Sequence, residues 1–207
     1  MKSAAKLLHT SLGIACLCLV LCGSKRHIQQ PQAVLRVSPP SSRVLVGRTT
    51  TINLVIEHVS GLYGEQIHLR FDPAIVEVVD ADSAQDGVQA EQGTFPTPDF
   101  VVQNAADNTT GSIDYAVTQL QPNRPGEGQG TVLRVTLLAK KAGVSPIQIE
   151  ELLLADTAGT SIGAVSQNGV IQVRSSPPWL LFAAIGFAPA VLIGLWAYHV
   201  HRHRKRD

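Results

Sequence analysis

Beyond residue 22 the 207-residue chain has no cysteine, because Cys16, Cys18 and Cys22 all fall in one N-terminal apolar run. A disulfide framework, a thiolate metal site and a cysteine nucleophile are therefore excluded from residues 23–207. Aromatics are scarce, at 5% of residues, and both tryptophans, Trp179 and Trp196, lie in a second apolar run near the C-terminus. The stretch between the runs keeps only Tyr63, Tyr115, Phe71, Phe95 and Phe100, with Phe71 and Tyr115 on the apolar parity of their segments. A flat ring platform for sugar stacking is hard to build from the remainder. Histidine is sparse there too: between the N-terminal run and the C-terminal tail the chain has only His27, His58 and His68.

Charge of one sign is missing only in the sum. Seventeen Lys and Arg face sixteen Asp and Glu, a formal net charge of +1 that argues against a polybasic nucleic-acid binder. Position changes the picture. Residues 1–32 carry Lys2, Lys6, Lys25 and Arg26 with no acid. Residues 33–173 carry eight bases against fifteen acids, a net −7, and residues 174–207 carry five bases against Asp207. An acidic middle between two basic, apolar ends is the layout of a membrane-attached protein.

The two ends differ in length. Ser11 to Cys22 is too short to cross a hydrocarbon core of ~30 Å. With Lys2 and Lys6 ahead of it, the segment reads as the helix of a secretory signal peptide over residues 1–24, followed by a linker over 25–32. An uncleaved anchor is the alternative. Trp179 to Tyr198 is a 20-residue run without charge, enough for ~30 Å of helix. It is expected to form a transmembrane helix over 179–200, preceded by a short linker over 174–178 and followed by a basic tail over 201–207. Basic residues favour the cytoplasmic side. The expected localisation is thus the cell membrane, single-pass, with the acidic domain outside and the tail in the cytoplasm. Gly186, Ala190 and Gly194 form a small-residue stripe that could let two spans pack, although small residues are common in such helices.

Residues 33–173 show period-two alternation and no sustained helical period. Ile52, Leu54 and Ile56 form one apolar set, Ile67, Leu69 and Phe71 a second, and Leu133, Val135 and Leu137 a third. Further strands are expected at 33–37, 75–80, 100–104, 112–118, 146–154 and 169–173. In 146–154 the parity passes from Ile147 and Ile149 to Leu152 and Leu154, which predicts a bulge near Glu150 and Glu151. Turn signals separate the segments, among them Asp72-Pro73, Asp107 to Gly111 and Asn168-Gly169. About nine strands at this spacing predict one all-β domain, a β-sandwich or jelly roll.

Four segments carry a more specific likeness: Val46 to Gly64, Ile67-His-Leu-Arg-Phe-Asp-Pro-Ala-Ile-Val-Glu-Val-Val79, Gly128 to Gly143, and Gly169-Val-Ile-Gln-Val173. In this order they resemble a cohesin domain, covering roughly residues 33–173. The resemblance implies a nine-stranded jelly roll related to carbohydrate-binding modules, whose relatives bind dockerin modules, often in polysaccharide-degrading assemblies. It implies a partner face made of Gln66, His68 and Arg70 on one strand, with Asp114 and Ala116 on the strand after the Thr-Gly turn. Members of the family often place Asn and Asp on the first of these strands, where this chain has Gly64 and Gln66. An ordinary solvated sheet face is the other reading of these residues.

Enzyme chemistry finds little support. Gly159-Thr-Ser161-Ile-Gly163 matches G-x-S-x-G, but the only later acid is Asp207 and the only later histidines lie in the tail. A loop of small residues is the better reading. Asp72 before Pro73 reads as a turn former. Asp80, Asp82, Asp86 and Glu91 are the candidate set for calcium, but the EF-hand count puts Ala84 and Gln85 where an oxygen ligand and a glycine are needed. No other cofactor is expected. The expected partner is a protein, dockerin-bearing by the resemblance, with polysaccharide as the alternative, the bilayer as support, and no nucleic acid.

Overall fold

The computed structural model describes residues 32–175, so the signal segment, the apolar run at 179–198 and the Gly186, Ala190 and Gly194 stripe lie outside the described residues. Twelve strands make up the described part: Ala33–Ser38 (β1), Ser41–Leu45 (β2), Thr49–Leu62 (β3), Gly64–Arg70 (β4), Val76–Val78 (β5), Glu91–Gln92 (β6), Phe100–Asp107 (β7), Ser112–Thr118 (β8), Gly126–Ala139 (β9), Gly143–Ala155 (β10), Ala164–Gln167 (β11) and Gly169–Arg174 (β12). Among the described residues no helix is long and apolar enough to cross a membrane.

The strands form two six-stranded sheets. One runs β11-β1-β3-β9-β5, with β6 also on β9; the other runs β2-β12-β10-β4-β8-β7. The alternation read from the sequence is what closes them. Ile52, Leu54 and Ile56 of β3, Ile67 and Leu69 of β4, and Leu133, Val135 and Leu137 of β9 are all buried in one core. Phe71 and Tyr115 join it, as their parity predicts. The bulge in β10 is present, with the register slipping between Ile149 and Glu151 opposite β4.

The count of nine strands falls short by the short strands β2, β6 and β11. Sequence patterning misses them for physical reasons. β6 has two residues, both exposed, and β11 buries almost nothing. β2 and β11 are parallel edge strands, fixed by pairing with β12 and β1 rather than by a strong apolar pattern of their own.

Corners are held by carboxylates and one crowded glycine. Asp72 accepts from the Ala74 N–H at 2.9 Å, while the Asp72 N–H donates to Ser145 Oγ at 2.9 Å. The Asp before Pro73 is therefore a structural residue. Gly111 has φ +76 in the Thr-Thr-Gly turn, and its carbonyl accepts from the Phe71 N–H at 2.8 Å. A Cβ there would overlap the Phe71 carbonyl and the Pro73 ring. Gly47 has a similar φ of +79 but open space around it. Gly111→Ala is thus expected to cost on the order of 2 kcal/mol or more, through dihedral strain plus overlap, and Gly47→Ala about 1 kcal/mol. Chemical denaturation of the two variants checks the difference; equal losses would contradict the crowding.

Candidate functional site

Strand β4 is paired on both sides, with β8 and β10, and its period-two alternation divides its residues between two environments. Ile67 and Leu69 point into the core, while Gln66, His68 and Arg70 face outward. The register places His68 opposite Asp114 and Gln66 opposite Ala116. All five residues expected on the partner face are therefore neighbours on one outward surface.

The middle of this surface is polar and cross-linked. His68 Nδ1 lies 2.6 Å from Asp114 Oδ1, and His68 Nε2 lies 3.5 Å from Glu150 Oε2. The Arg70 Nε–H donates to the same Glu150 oxygen at 3.3 Å. Glu150 stands on the outward parity set by Ile147 and Ile149, and the β10 bulge turns the next acid, Glu151, to solvent as well. Surface pairs of this kind add roughly 0–1 kcal/mol to stability, so their main effect is to fix the pattern of charge shown to a partner.

The end of the same surface is apolar. Gly64, Gln66, Ala116 and Ala155 floor a depression of about 410 Å³ flanked by Val102 and Leu153. Val102 is 63% exposed and Leu153 50% exposed. Neither was expected from the sequence. Val102 faces out because β7 slips register between Val101 and Gln103, and Leu153 because the β10 bulge reverses parity. The shifted parity of Leu152 and Leu154 carried the signal for Leu153; no alternation marked Val102.

Behind the depression sits a buried acid. Glu65 takes the inward parity of β4, is 7% exposed, and its Oε2 has no hydrogen-bond partner. Burial pushes its carboxyl up to about 8. Tyr115 is pushed up as well, first by burial and then by the Glu65 charge.

The other candidates separate from this surface. Gly159 and Ser161 border the depression in the loop between β10 and β11, where Ser161 makes only an isolated bridge with Ala155. No helix follows it among the described residues, so the G-x-S-x-G match lacks the setting of a nucleophile elbow. The calcium set is not gathered: among the described residues no group of three or more His, Cys, Asp or Glu side chains could hold a metal ion. Asp80 instead accepts from the backbone N–H groups of Asp82 and Gln89, and Asp82 accepts from the Ala84 N–H and the Gln85 amide, so these acids shape their own loop. Phe95 packs against the core and Phe100, at 55% exposed, stands on β7, so the described aromatics offer no ring platform.

The cohesin domain family model matches residues 35–173. The chain belongs to the cohesin family. Its fold is similar to a type II cohesin domain from the cellulosome of Acetivibrio cellulolyticus, at 22% identity and TM-score 0.58, covering 68% of this chain and 95% of that one. It is similar to a non-cellulosomal cohesin from the hyperthermophilic archaeon Archaeoglobus fulgidus, at 14% identity and TM-score 0.56, covering 70% and 93%. A third similar structure is a Clostridium thermocellum type I cohesin–dockerin complex, at 16% identity and TM-score 0.53, covering 70% and 94%. No curated protein matches significantly. Membership accounts for the two-sheet architecture.

The buried acid gives a pH dependence whose sign is fixed. The folded state holds the Glu65 proton up to about pH 8, whereas the unfolded chain releases it near 4.5. Between these values the folded state binds more protons at Glu65, so the Glu65 contribution to stability is fully present below pH 4.5 and is lost as pH rises to 8. The Glu65 contribution is a loss of up to about 1.4 kcal/mol per pH unit. Glu65→Gln is expected to remove this component from the pH profile of chemical denaturation; an unchanged profile would contradict it.

Proposed function

We propose that this cohesin is a non-catalytic attachment module, displayed outside the cell on a C-terminal membrane span, that captures a dockerin-bearing protein on its β10-β4-β8-β7 surface. The observation that carries the reading is the difference between the outward faces of the two sheets. On the β1-β3-β9-β5 sheet, outward side chains pair among themselves: Arg36 with Glu57 at 2.7 Å, Thr51 with Thr136 at 3.2 Å, and Lys140 with Glu77 at 3.3 Å. Arg134 is shared between Asn53 and Glu91. That face is laced for solvent. The other face ends in a depression with exposed Leu153 and Val102 beside the His68, Asp114, Glu150 and Arg70 group. An apolar anchor site beside a fixed charge pattern is the usual anatomy of a protein interface.

The strand directions favour display. Val173 pairs with Gly143 where the chain leaves the domain, and Leu153 lies ten residues farther along β10. At ~3.3 Å per residue that is about 33 Å of strand. The linker to the apolar run is only five residues, Arg174 to Pro178. The domain exit is thus held near the span while the depression lies at the far end of the sheet. Gly64 and Gln66 stand where cohesins often carry polar anchors, so the apolar end takes a larger share of recognition.

Two measurements test the reading. The full chain in detergent, immobilised and presented with a panel of purified dockerin modules, is expected to retain at least one. Leu153→Arg should weaken that binding at least tenfold, and Thr136→Arg on the opposite sheet should leave it within twofold. Retention of no dockerin, or indifference to Leu153→Arg, would contradict the reading. For the anchor, the chain is expected to stay with membranes through alkaline carbonate extraction, with protease reaching the domain but not a C-terminal tag on intact cells. Release by carbonate or digestion of the tag would overturn that part.

A further inference from the structure

The attachment surface uses the outward residues of β4, but the inward end of the same strand holds a group that attachment leaves unexplained. Glu65 lies between Gly64 and Gln66, both of which border the depression. Its cross-strand neighbours are Val117 on β8 and Leu154 on β10, which border the depression as well. The carboxyl is therefore fixed directly under the floor of the site, in the middle strand of the three that build it.

Its surroundings suit only a neutral acid. Leu62, Val117, Pro96 and Gln119 line a crevice beside it that is too narrow to hold a water molecule. Two buried oxygens in this region, Glu65 Oε2 and the Tyr63 hydroxyl, have no hydrogen-bond partner. The titratable groups that face Glu65 are Tyr63, just before β4, and Tyr115 on β8; β10 contributes Leu154. Among the described residues no Arg, Lys or His pairs with it, and burial alone accounts for its retained proton. A carboxylate formed here has no counter-charge and little contact with solvent, and a buried charge without a partner is costly.

We propose that Glu65 is a proton-controlled latch beneath the partner site: neutral, it lets β10, β4 and β8 close as the floor of the depression, and ionised, it drives that end of β4 apart from its neighbours. The released proton goes to solvent, and water enters between the strands to solvate the carboxylate. The consequence for attachment rests on the reading of this depression as the partner site. A floor that closes only with Glu65 neutral loses population as pH rises, with a midpoint no higher than about 8, the value for the closed floor. Apparent affinity scales with the competent fraction, so binding at pH 9 should be at least about tenfold weaker than at pH 7.

The latch is tested without any partner. The full chain, carrying labelled Ala, Leu and Val methyl groups in detergent micelles, is titrated from pH 6 to 10 by NMR. The methyl signals of Ala116, Val117, Leu153 and Leu154 are expected to shift together with a midpoint near pH 8. Those of Ala139 and Val173, at the other end of the sandwich, should stay still, and Glu65→Gln should abolish the shared transition. No shared transition, or an identical one in Glu65→Gln, would overturn the proposal. Should that variant fail to fold, the carboxyl carbon signal of Glu65 in the unaltered chain decides: a midpoint near 8 supports the latch and one near 4.5 overturns it. Dockerin retention is measured separately, so failure of the latch and failure of the attachment reading give different results.

Discussion

Strand β4 must satisfy neighbours on four sides at once, and the candidate site depends on that constraint. Hydrogen bonding to β8 and β10 fixes its register along both edges. Burial of Ile67 and Leu69 fixes which face points inward. A slip of one residue would drive His68 and Arg70 into the core and Leu69 to the surface. The outward group is therefore placed by the energetics of the core. The partner surface inherits the rigidity of a central strand, which suits recognition by a fixed pattern of shape and charge.

Two bulges then give the surface its particular character. The slip in β10 leaves Glu150 on its outward parity beside His68 and Arg70, turns Glu151 outward as well and, a few residues on, lifts Leu153 to the surface. The slip in β7 exposes Val102 on the far side of the same depression. The apolar end thus owes its exposure to an extra residue in each strand that changes which side chains face out. Without these bulges the outward face would be an ordinary alternating polar surface like that of the other sheet, where cross-strand pairs leave little for a partner to use.

Much of this was readable in the residues. The alternation of β3, β4, β8 and β9, the turn at Asp72-Pro73, and even the bulge near Glu150 follow from side-chain periodicity. The five residues expected on the face do lie together. What stayed hidden is instructive. Val102 looks like a core residue in a one-dimensional pattern, because exposure after a bulge is a property of the pairing and not of the residue, whereas the parity of Leu152 and Leu154 already carried the signal for Leu153. Glu65 carries no mark either: a carboxylate at an inward position reads as an interruption of the pattern until the surrounding strands show that it is sealed in. The acids of the Asp80–Glu91 loop show the opposite, a metal-like spacing in which Asp80 and Asp82 are taken by nearby backbone N–H groups and the Gln85 amide, and Glu91 pairs with Arg134.

The central claim is that one sheet face, and not the other, receives the partner. Hydroxyl-radical footprinting of the full chain, alone and with a dockerin module bound, tests this most directly. The account predicts that binding shields Leu153, Val102 and His68 and leaves Val165, which is 42% exposed on β11 of the opposite sheet, as reactive as before. Shielding confined to Val165 or to the outward side chains of β3 and β9, with Leu153 and His68 unchanged, would contradict it.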